Sequence, residues 1–310
     1  MTALLILGGL AGLLLGGELL VRGASAMAVR LGMSKLVVGV VIVGFGTSVP
    51  ELVTCVRAAL GGSPGIAVGN IVGSNIANIL LILGAAAVMR PMVTDRRSVL
   101  RDGGLVIVTA VLFALAAFTG VIGRPAGLAF VAILLAYIVF MLRSDRGRTA
   151  RESDVPATPG TPLLLLAVFL AGGLALIVGG AEALVTGAVD LARRLAVPEE
   201  VIGLTMVAIG TSLPELATSV VAAVRKHSEI ALGNVLGSNV YNTVGIGGIT
   251  ALVAPIPVSE GMRSFDIPVM VAASVVLVTV VATGGRVTRF EGFALLALYA
   301  GYLAMVAGLA

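Results

Sequence analysis

The sequence predicts an all-α integral membrane protein of ten transmembrane helices, arranged as two inverted five-helix repeats. Three observations carry that expectation. Hydrophobic residues make up 58% of the 310 residues and charged residues 12%, with a mean hydropathy of +1.12. A soluble domain carries about 25% charged residues, so this chain has too little polar side chain to clothe a soluble fold. Apolar runs of about 18 residues or more, each long enough to span a bilayer as a helix, recur from end to end. They are continuous rather than alternating with period two, which disfavours strands. Finally, the chain repeats itself: residues 44–84 align without gaps to residues 208–248 at a fixed offset of 164, with about half the positions identical.

In chain order the predicted spans are 3–29, 36–60, 65–88, 103–120, 125–142, 162–191, 200–224, 229–253, 267–283 and 290–309. The first run has the length of a secretory leader, but it lacks a basic start and contains Glu18 and Arg22, so it reads as a retained span. The offset of 164 also carries Glu18 onto Glu182 and Gly23 onto Gly187, so the duplication begins with the first span of each half. The halves are 1–142, with its repeat core at 44–84, and 162–310, with its core at 208–248. Residues 143–161, rich in Pro and charge, form a cytoplasmic linker too short to hold a regulatory domain. Five spans per half send the second copy into the membrane from the opposite face, and inverted repeats of this kind build a shared site near the midplane.

The net charge of +4 belongs to loops and not to a nucleic-acid surface. Loops after the odd-numbered spans hold fourteen Lys and Arg, against five in the alternate loops. The richer set is expected in the cytoplasm, which puts both termini outside a multi-pass protein of the plasma (inner) membrane. A single cysteine, Cys55, excludes an intrachain disulfide, and no metal-type Cys/His spacing exists. Cys55 reads as a small packing residue, and His227 as a solvated loop residue.

The most identical stretches are GTS-x-PEL and GN-x-x-GSN-x-x-N, each present twice inside apolar spans. Glu51 and Glu215 lead the set. A charge at bilayer depth costs at least about 2.5–3.5 kcal/mol and is kept for function or pairing, and neither motif contains a basic partner. Two carboxylates from symmetry-related helices can therefore share cations. Pro50 and Pro214 remove a backbone hydrogen bond and free carbonyls at Gly46 and Gly210, which suits cation ligation where they line a cavity. Thr47 and Ser48, with Thr211 and Ser212, lie one helical turn before the Glu residues on the same face. Ser74 with Asn78, and Ser238 with Asn242, stand at i, i+4 and aim one way. Asn75 and Asn239 point elsewhere, as interhelical hydrogen-bonders or helix-end caps, and Gly69, Gly73, Gly233 and Gly237 form G-x-x-x-G pairs for close packing. The donor set is carboxylate, hydroxyl, amide and carbonyl oxygen. It suits Ca2+ or Na+ and argues against Zn2+ or Cu+. With both Glu ionised, one Ca2+ neutralises the pair while three Na+ leave one positive charge, so three-for-one exchange would be electrogenic. No nucleophile–base set or cofactor motif is present, so an enzyme is not expected.

These motifs resemble the two α-repeats of Na+/Ca2+ exchangers in the cation/calcium exchanger superfamily. The resemblance covers the whole ten-span plan and is dense over 44–84 and 208–248. It implies an antiporter in which the second and third spans of each half enclose four midplane cation sites. Its ligands would be Glu51, Glu215, Ser48, Ser212, Thr47, Thr211, Ser74, Ser238, Asn78 and Asn242, with backbone oxygens near Gly44 and Ala208. It also implies that spans one and six slide across the core to switch access. Many relatives carry Asp at the place of Asn242, which leaves stoichiometry, and H+ or K+ as the counter-ion, as alternatives beside Na+. A passive cation channel is the reading from another class. Partners are the lipid bilayer and the transported cations, and nothing in the sequence selects an oligomeric state. For Glu18 and Glu182 a structural or gating role is expected, Glu18 having Arg22 four residues on while Glu182 has Thr186.

Overall fold

A computed structural model describes residues 1–93, 96–152, 162–195 and 208–309. It is helical almost throughout. Helix α1 is Thr2–Leu31, α2 Lys35–Thr47, α3 Val49–Leu60 and α4 Pro64–Met89. These are followed by α5 Arg96–Phe118, α6 Arg124–Glu152 and α7 Leu163–Arg194. After residues outside the description come α8 Ala208–Thr211 and α9 Leu213–Val224. Helix α10 runs from Ser228 through a π-helical turn at Tyr241–Ile246 to Val253. Helix α11 starts with a π-helical turn at Met262–Asp266 and continues as Ile267–Gly284, and α12 is Arg289–Leu309.

Among the described residues seven helices are long and apolar enough to cross a membrane, and the bent pair α2–α3 makes an eighth. The two remaining predicted spans correspond to α8–α9 and α10. The first part of the predicted span 200–224 and most of the linker 143–161 fall outside the described residues, although α6 is helical as far as Glu152.

The bundle has an inside and an outside. The apolar stretch of α4 is 78% buried, while those of α1 and α7 are 33% and 22% buried. Helices α1 and α7 lie along one another at one side, and glycine sets their distance. A Cβ on Gly9 would come within 2.6 Å of Leu184 N, and one on Gly173 within 2.6 Å of Leu20 N. Gly16 and Gly180 are held as closely, at 2.7 and 2.8 Å from the facing backbone. Gly9 and Gly16 map onto Gly173 and Gly180 at the offset of 164, so the contact is built from equivalent positions of the two halves. Membrane helices lack a hydrophobic force to join them, and backbone approach of this kind supplies van der Waals contact instead.

Four short segments tie the halves together in antiparallel pairs. Strand β1, Met92–Val93, pairs with β4, Arg286–Val287, and β2, Val121–Ile122, pairs with β3, Ile256–Pro257. At the offset of 164, β1 falls onto β3, and β2 falls one residue from β4. Each pair therefore joins loops from opposite repeats. Between the halves, α2 meets α10 at backbone distance: Gly39 faces Ile230 and Gly233, Gly237 faces Val40, and Gly44 faces Ser238. The close-packing role expected of Gly233 and Gly237 is thus present. Gly69 and Gly73 meet no backbone within 4 Å among the described residues.

Candidate cation site

Both motif glutamates sit at a helix break. Ser48, with φ −85° and ψ 0°, ends α2 and begins α3, and the two segments are bent by 41°. Ser212, with φ −91° and ψ 2°, separates α8 from α9 in the same way. Pro50 and Pro214 fall within the first two positions of the new helices, where the missing N–H is no loss and the fixed φ suits the helix. The expectation that proline would kink a continuous helix and leave the Gly46 carbonyl free is thereby corrected. The helix stops instead, and a backbone N–H at its end turns onto Gly46 O. The break has its own electrostatics. Glu51 and Glu215 lie in the first turns of α3 and α9, at the positive ends of those helix dipoles. The carbonyl end of α2 arrives at the same point and favours cations.

The structure brings the two halves of the predicted set together. Glu51 and Glu215 are 1% and 2% exposed, and their carboxyl groups face one another across the repeat interface. Thr47, Ser48, Ser74, Asn78, Ser212, Ser238 and Asn242 are all buried as well. Thr211 is half-buried, Gly44 is buried with its backbone against Ser238, and Ala208 opens α8, which packs on α4 and α7. Contacts cross from one repeat to the other. Ser48 Oγ is 3.3 Å from Glu215 Oε1, and Ser212 Oγ is 3.3 Å from Ser74 Oγ. Beside Ser48 lies a cavity of about 30 Å³, room for about one water, walled by Phe45, Leu134, Tyr241 and Ile246. Asn78 and Asn242 both fall on π-helical turns, Asn78–Leu83 and Tyr241–Ile246, a geometry that gathers at functional sites.

Several of these groups have polar atoms that no protein atom satisfies. Glu51 Oε2, Glu215 Oε2, both side-chain atoms of Asn78, Ser238 Oγ and Asn242 Oδ1 are buried with no hydrogen-bond partner. A buried polar atom left unpaired costs about 1–3 kcal/mol, more when charged. In native proteins such atoms are few, and an ion is one of the partners that accounts for them. Oxygen atoms dominate the cluster, as hard cations require. Among the described residues no group of three or more His, Cys, Asp or Glu gathers, so a cation here relies on two carboxylates and neutral oxygens.

Sequence reasoning missed part of the network. Thr47 Oγ1 lies 3.1 Å from Asn234 Oδ1, and Thr211 Oγ1 lies 3.1 Å from Asn70 Oδ1, an equivalent pair at the offset of 164. The amide of Asn234 donates to Ser219 Oγ at 2.9 Å and to Glu215 O at 3.3 Å, while that of Asn70 donates to Cys55 Sγ at 3.2 Å. Cys55 is therefore a hydrogen-bonding member of the site wall as well as a packing residue. The signal was present in the repeated GN of the second motif. Asn75 and Asn239 are corrected too: each amide donates to its own helix, to Ile71 O and Val235 O at 2.7 Å, and among the described residues not across to another helix.

At the far end of α9, Glu18 of α1 is clasped by Arg22 and by Arg225, whose Nε is 2.6 Å from Glu18 Oε2. His227 is half-buried and not fully solvated, with Lys35 Nζ 3.5 Å from its Nδ1. Burial, reinforced by the Lys35 charge, holds the His227 pKa below its ordinary value.

Comparison with known proteins extends these observations over the whole chain. The family model described as sodium/calcium exchanger protein matches residues 1–143 and again 165–308. Sodium/calcium exchanger MaX1 of Methanosarcina acetivorans is 35% identical over 98% of this chain and 97% of its own length. Inner membrane protein YrbG of Escherichia coli is 33% identical over 89% of this chain and 86% of its own. Among solved structures, the sodium-calcium exchanger NCX_Mj superposes with a TM-score of 0.86 at 30% identity, covering 100% of both chains.

Proposed function

This chain belongs to the sodium/calcium exchanger protein family, and we propose that it exchanges Ca2+ for Na+ at the buried oxygen cluster around Glu51 and Glu215. One observation carries the site: two carboxylates from equivalent helix breaks meet in the interior, each with one oxygen that no protein group satisfies. Unpartnered oxygens of Asn78, Ser238 and Asn242, on helical segments that pack against those breaks, support the reading. Cations are the substrates of this arrangement. One Ca2+ balances two ionised carboxylates, and three Na+ leave one net positive charge. The exchange is then electrogenic, with a current that reverses when the gradients reverse.

Access alternates, in this proposal, by movement of the α1–α7 pair. The two helices are held to one another through backbone contacts and leave most of their surface outside the core. The excess of Lys and Arg in loops after odd-numbered spans supports a cytoplasmic location for those loops and an outward position for both termini in the inner membrane. In a Cys55→Ser background, Gly32→Cys should react with a membrane-impermeant maleimide only after the cytoplasmic face is opened. Gly62→Cys should react in intact cells, and the reverse pattern would overturn the orientation.

The direct test is 45Ca2+ uptake into proteoliposomes loaded with Na+, with K+-loaded and acid-loaded controls and with Glu51→Gln and Glu215→Gln alongside. Uptake only under an outward Na+ gradient, lost in both variants, is expected. Uptake driven by the acid load or by K+ would reassign the counter-ion. Uptake without any counter-gradient would replace antiport by a channel.

A further inference from the structure

A hydroxyl that ligates a cation needs an acceptor for its proton, and the structure supplies one for each motif threonine. Thr47 Oγ1 lies 3.1 Å from Asn234 Oδ1 of the opposite repeat, and the next residue, Ser48, puts its Oγ 3.3 Å from Glu215 Oε1 of that same repeat. The helix of Thr47 itself offers Val43 O at 3.1 Å as well. The orientation of the Asn234 amide is set by its other contacts. Glu215 O is a carbonyl and can only accept, so the nitrogen must face it at 3.3 Å, and the oxygen must face Thr47. Two oxygens facing one another at 3.1 Å need a proton between them, and only the hydroxyl can donate it. Asn234 is fully buried, so no solvent replaces that donor.

We propose that Asn234, and its equivalent Asn70, are positioning residues of the exchange site that hold the hydroxyl protons of Thr47 and Thr211 and so leave the hydroxyl lone pairs to a cation. A hydroxyl that ligates a cation must present a lone pair and send its proton elsewhere, and the amide oxygen of the other repeat is where it goes. Because each Asn stands in one repeat and its Thr in the other, the same bond fixes the two helix breaks against each other. The two copies are not equal. Asn234 is anchored by a hydroxyl, Ser219, and Asn70 by a thiol, Cys55, a weaker partner, so the first copy is the looser one.

This inference rests on the exchange reading above and adds a residue pair to it. The experiment is a double-substitution cycle on Thr47→Val and Asn234→Ala, reading the half-saturating Ca2+ concentration and the maximal rate of Na+-driven uptake separately. In the wild-type background Asn234→Ala should raise the half-saturating concentration about fivefold to tenfold, the scale of one buried hydrogen bond. In the Thr47→Val background the same substitution should change it by less than about twofold, because the hydroxyl it serves is gone. Thr47→Ser, which keeps the hydroxyl, should restore the sensitivity. Effects that multiply independently, or a loss confined to the maximal rate, would overturn the positioning role while leaving exchange intact. Absence of Na+-driven uptake in the unsubstituted protein would instead defeat the exchange reading itself. If Asn234→Ala does not assemble in the membrane, the cycle on Asn70→Ala and Thr211→Val decides by the same criteria.

Discussion

Replacing Gly173 by alanine should separate the two peripheral helices, and replacing its neighbour Gly172 should not. A Cβ at position 173 would lie 2.6 Å from Leu20 N, 2.9 Å from Gly16 O and 3.0 Å from Leu20 Cα, all backbone atoms that no rotamer change can move aside. Ordinary contact begins at 3.4 Å, so the axes must part locally by about 0.8 Å, the difference between 3.4 and 2.6 Å. Overpacking of this kind costs about 1–3 kcal/mol. At Gly172 an added Cβ meets nothing within 4 Å, and exchanging glycine for a better helix former gains up to about 1 kcal/mol. The adjacent substitutions should thus move thermal stability of the detergent-solubilised protein in opposite directions. Initial rates of Na+-driven Ca2+ uptake should fall for Gly173→Ala alone. The double variant Gly16→Ala with Gly173→Ala adds a second check, because a Cβ on Gly16 would itself lie 2.7 Å from Gly173 O. Once one Cβ has wedged the helices apart the second fits more easily, so its cost should be well below the sum of the singles. Equal effects at 172 and 173, or full additivity for the pair, would refute the argument that backbone contact holds α1 to α7.

Three further outcomes follow from the charged groups. Glu51→Gln and Glu215→Gln should each lower Ca2+ affinity at least a hundredfold in equilibrium binding, since removing one member of a buried charge cluster costs about 3–5 kcal/mol; near-normal binding in either would remove that residue from the site. Glu18→Gln breaks a partly exposed pair, 19% and 55% exposed on its Glu18 and Arg225 sides, so global stability should change by less than about 1 kcal/mol. Equilibrium Ca2+ binding should be unchanged while the exchange rate shifts, and a lost binding site would contradict the assignment. His227, packed on Lys35 with Glu18 nearby, binds its proton less readily when folded than when unfolded. Its contribution to stability is therefore present above the ordinary histidine range and lost as pH falls through that range towards the lowered folded value. His227→Gln should flatten that limb of the pH–stability curve, and an unchanged curve would show that burial and the Lys35 charge impose no such penalty.

Much of this architecture was legible because duplication writes structure into sequence twice. The offset of 164 placed a proline two residues beyond each helix break, at Pro50 and Pro214, and gathered ligand types that a single copy would have left as scattered polar residues. Other features left no local trace. A π-helical turn such as Gly39–Gly44 lies in a run apolar on every side, so its wider period has no polar face to shift. Proline marked each break but not its form, because the same residue kinks a helix interior and opens a new helix at its first turn. Glu18 showed its partner four residues on, at Arg22, while Arg225 lies 207 residues away and only the packing of α1 on α9 brings it there. Asn70 and Asn234 were hidden for the same reason, since their threonine partners lie 141 and 187 residues distant.

The departures from symmetry are as informative as the symmetry. A perfectly repeated pair of halves would make the two access states mirror images of equal free energy, and neither face would be preferred. In this structure Ser48 reaches the Glu215 carboxylate, whereas its equivalent Ser212 reaches Ser74. Arg225 clasps Glu18, but its equivalent position holds Gly61, which has no side chain to offer Glu182. A thiol stands at 55 where a hydroxyl stands at 219. Each difference leaves the paired carboxylates in place and changes only what fastens one half to the other. The repeat therefore fixes the path along which the molecule moves. Its unmatched contacts set how far along that path it rests, because an interaction present in one state and absent from its mirror shifts the balance by its own free energy. Glu18→Gln removes such a contact without touching a ligand, and for that reason its effect belongs in the exchange rate and not in the binding constant.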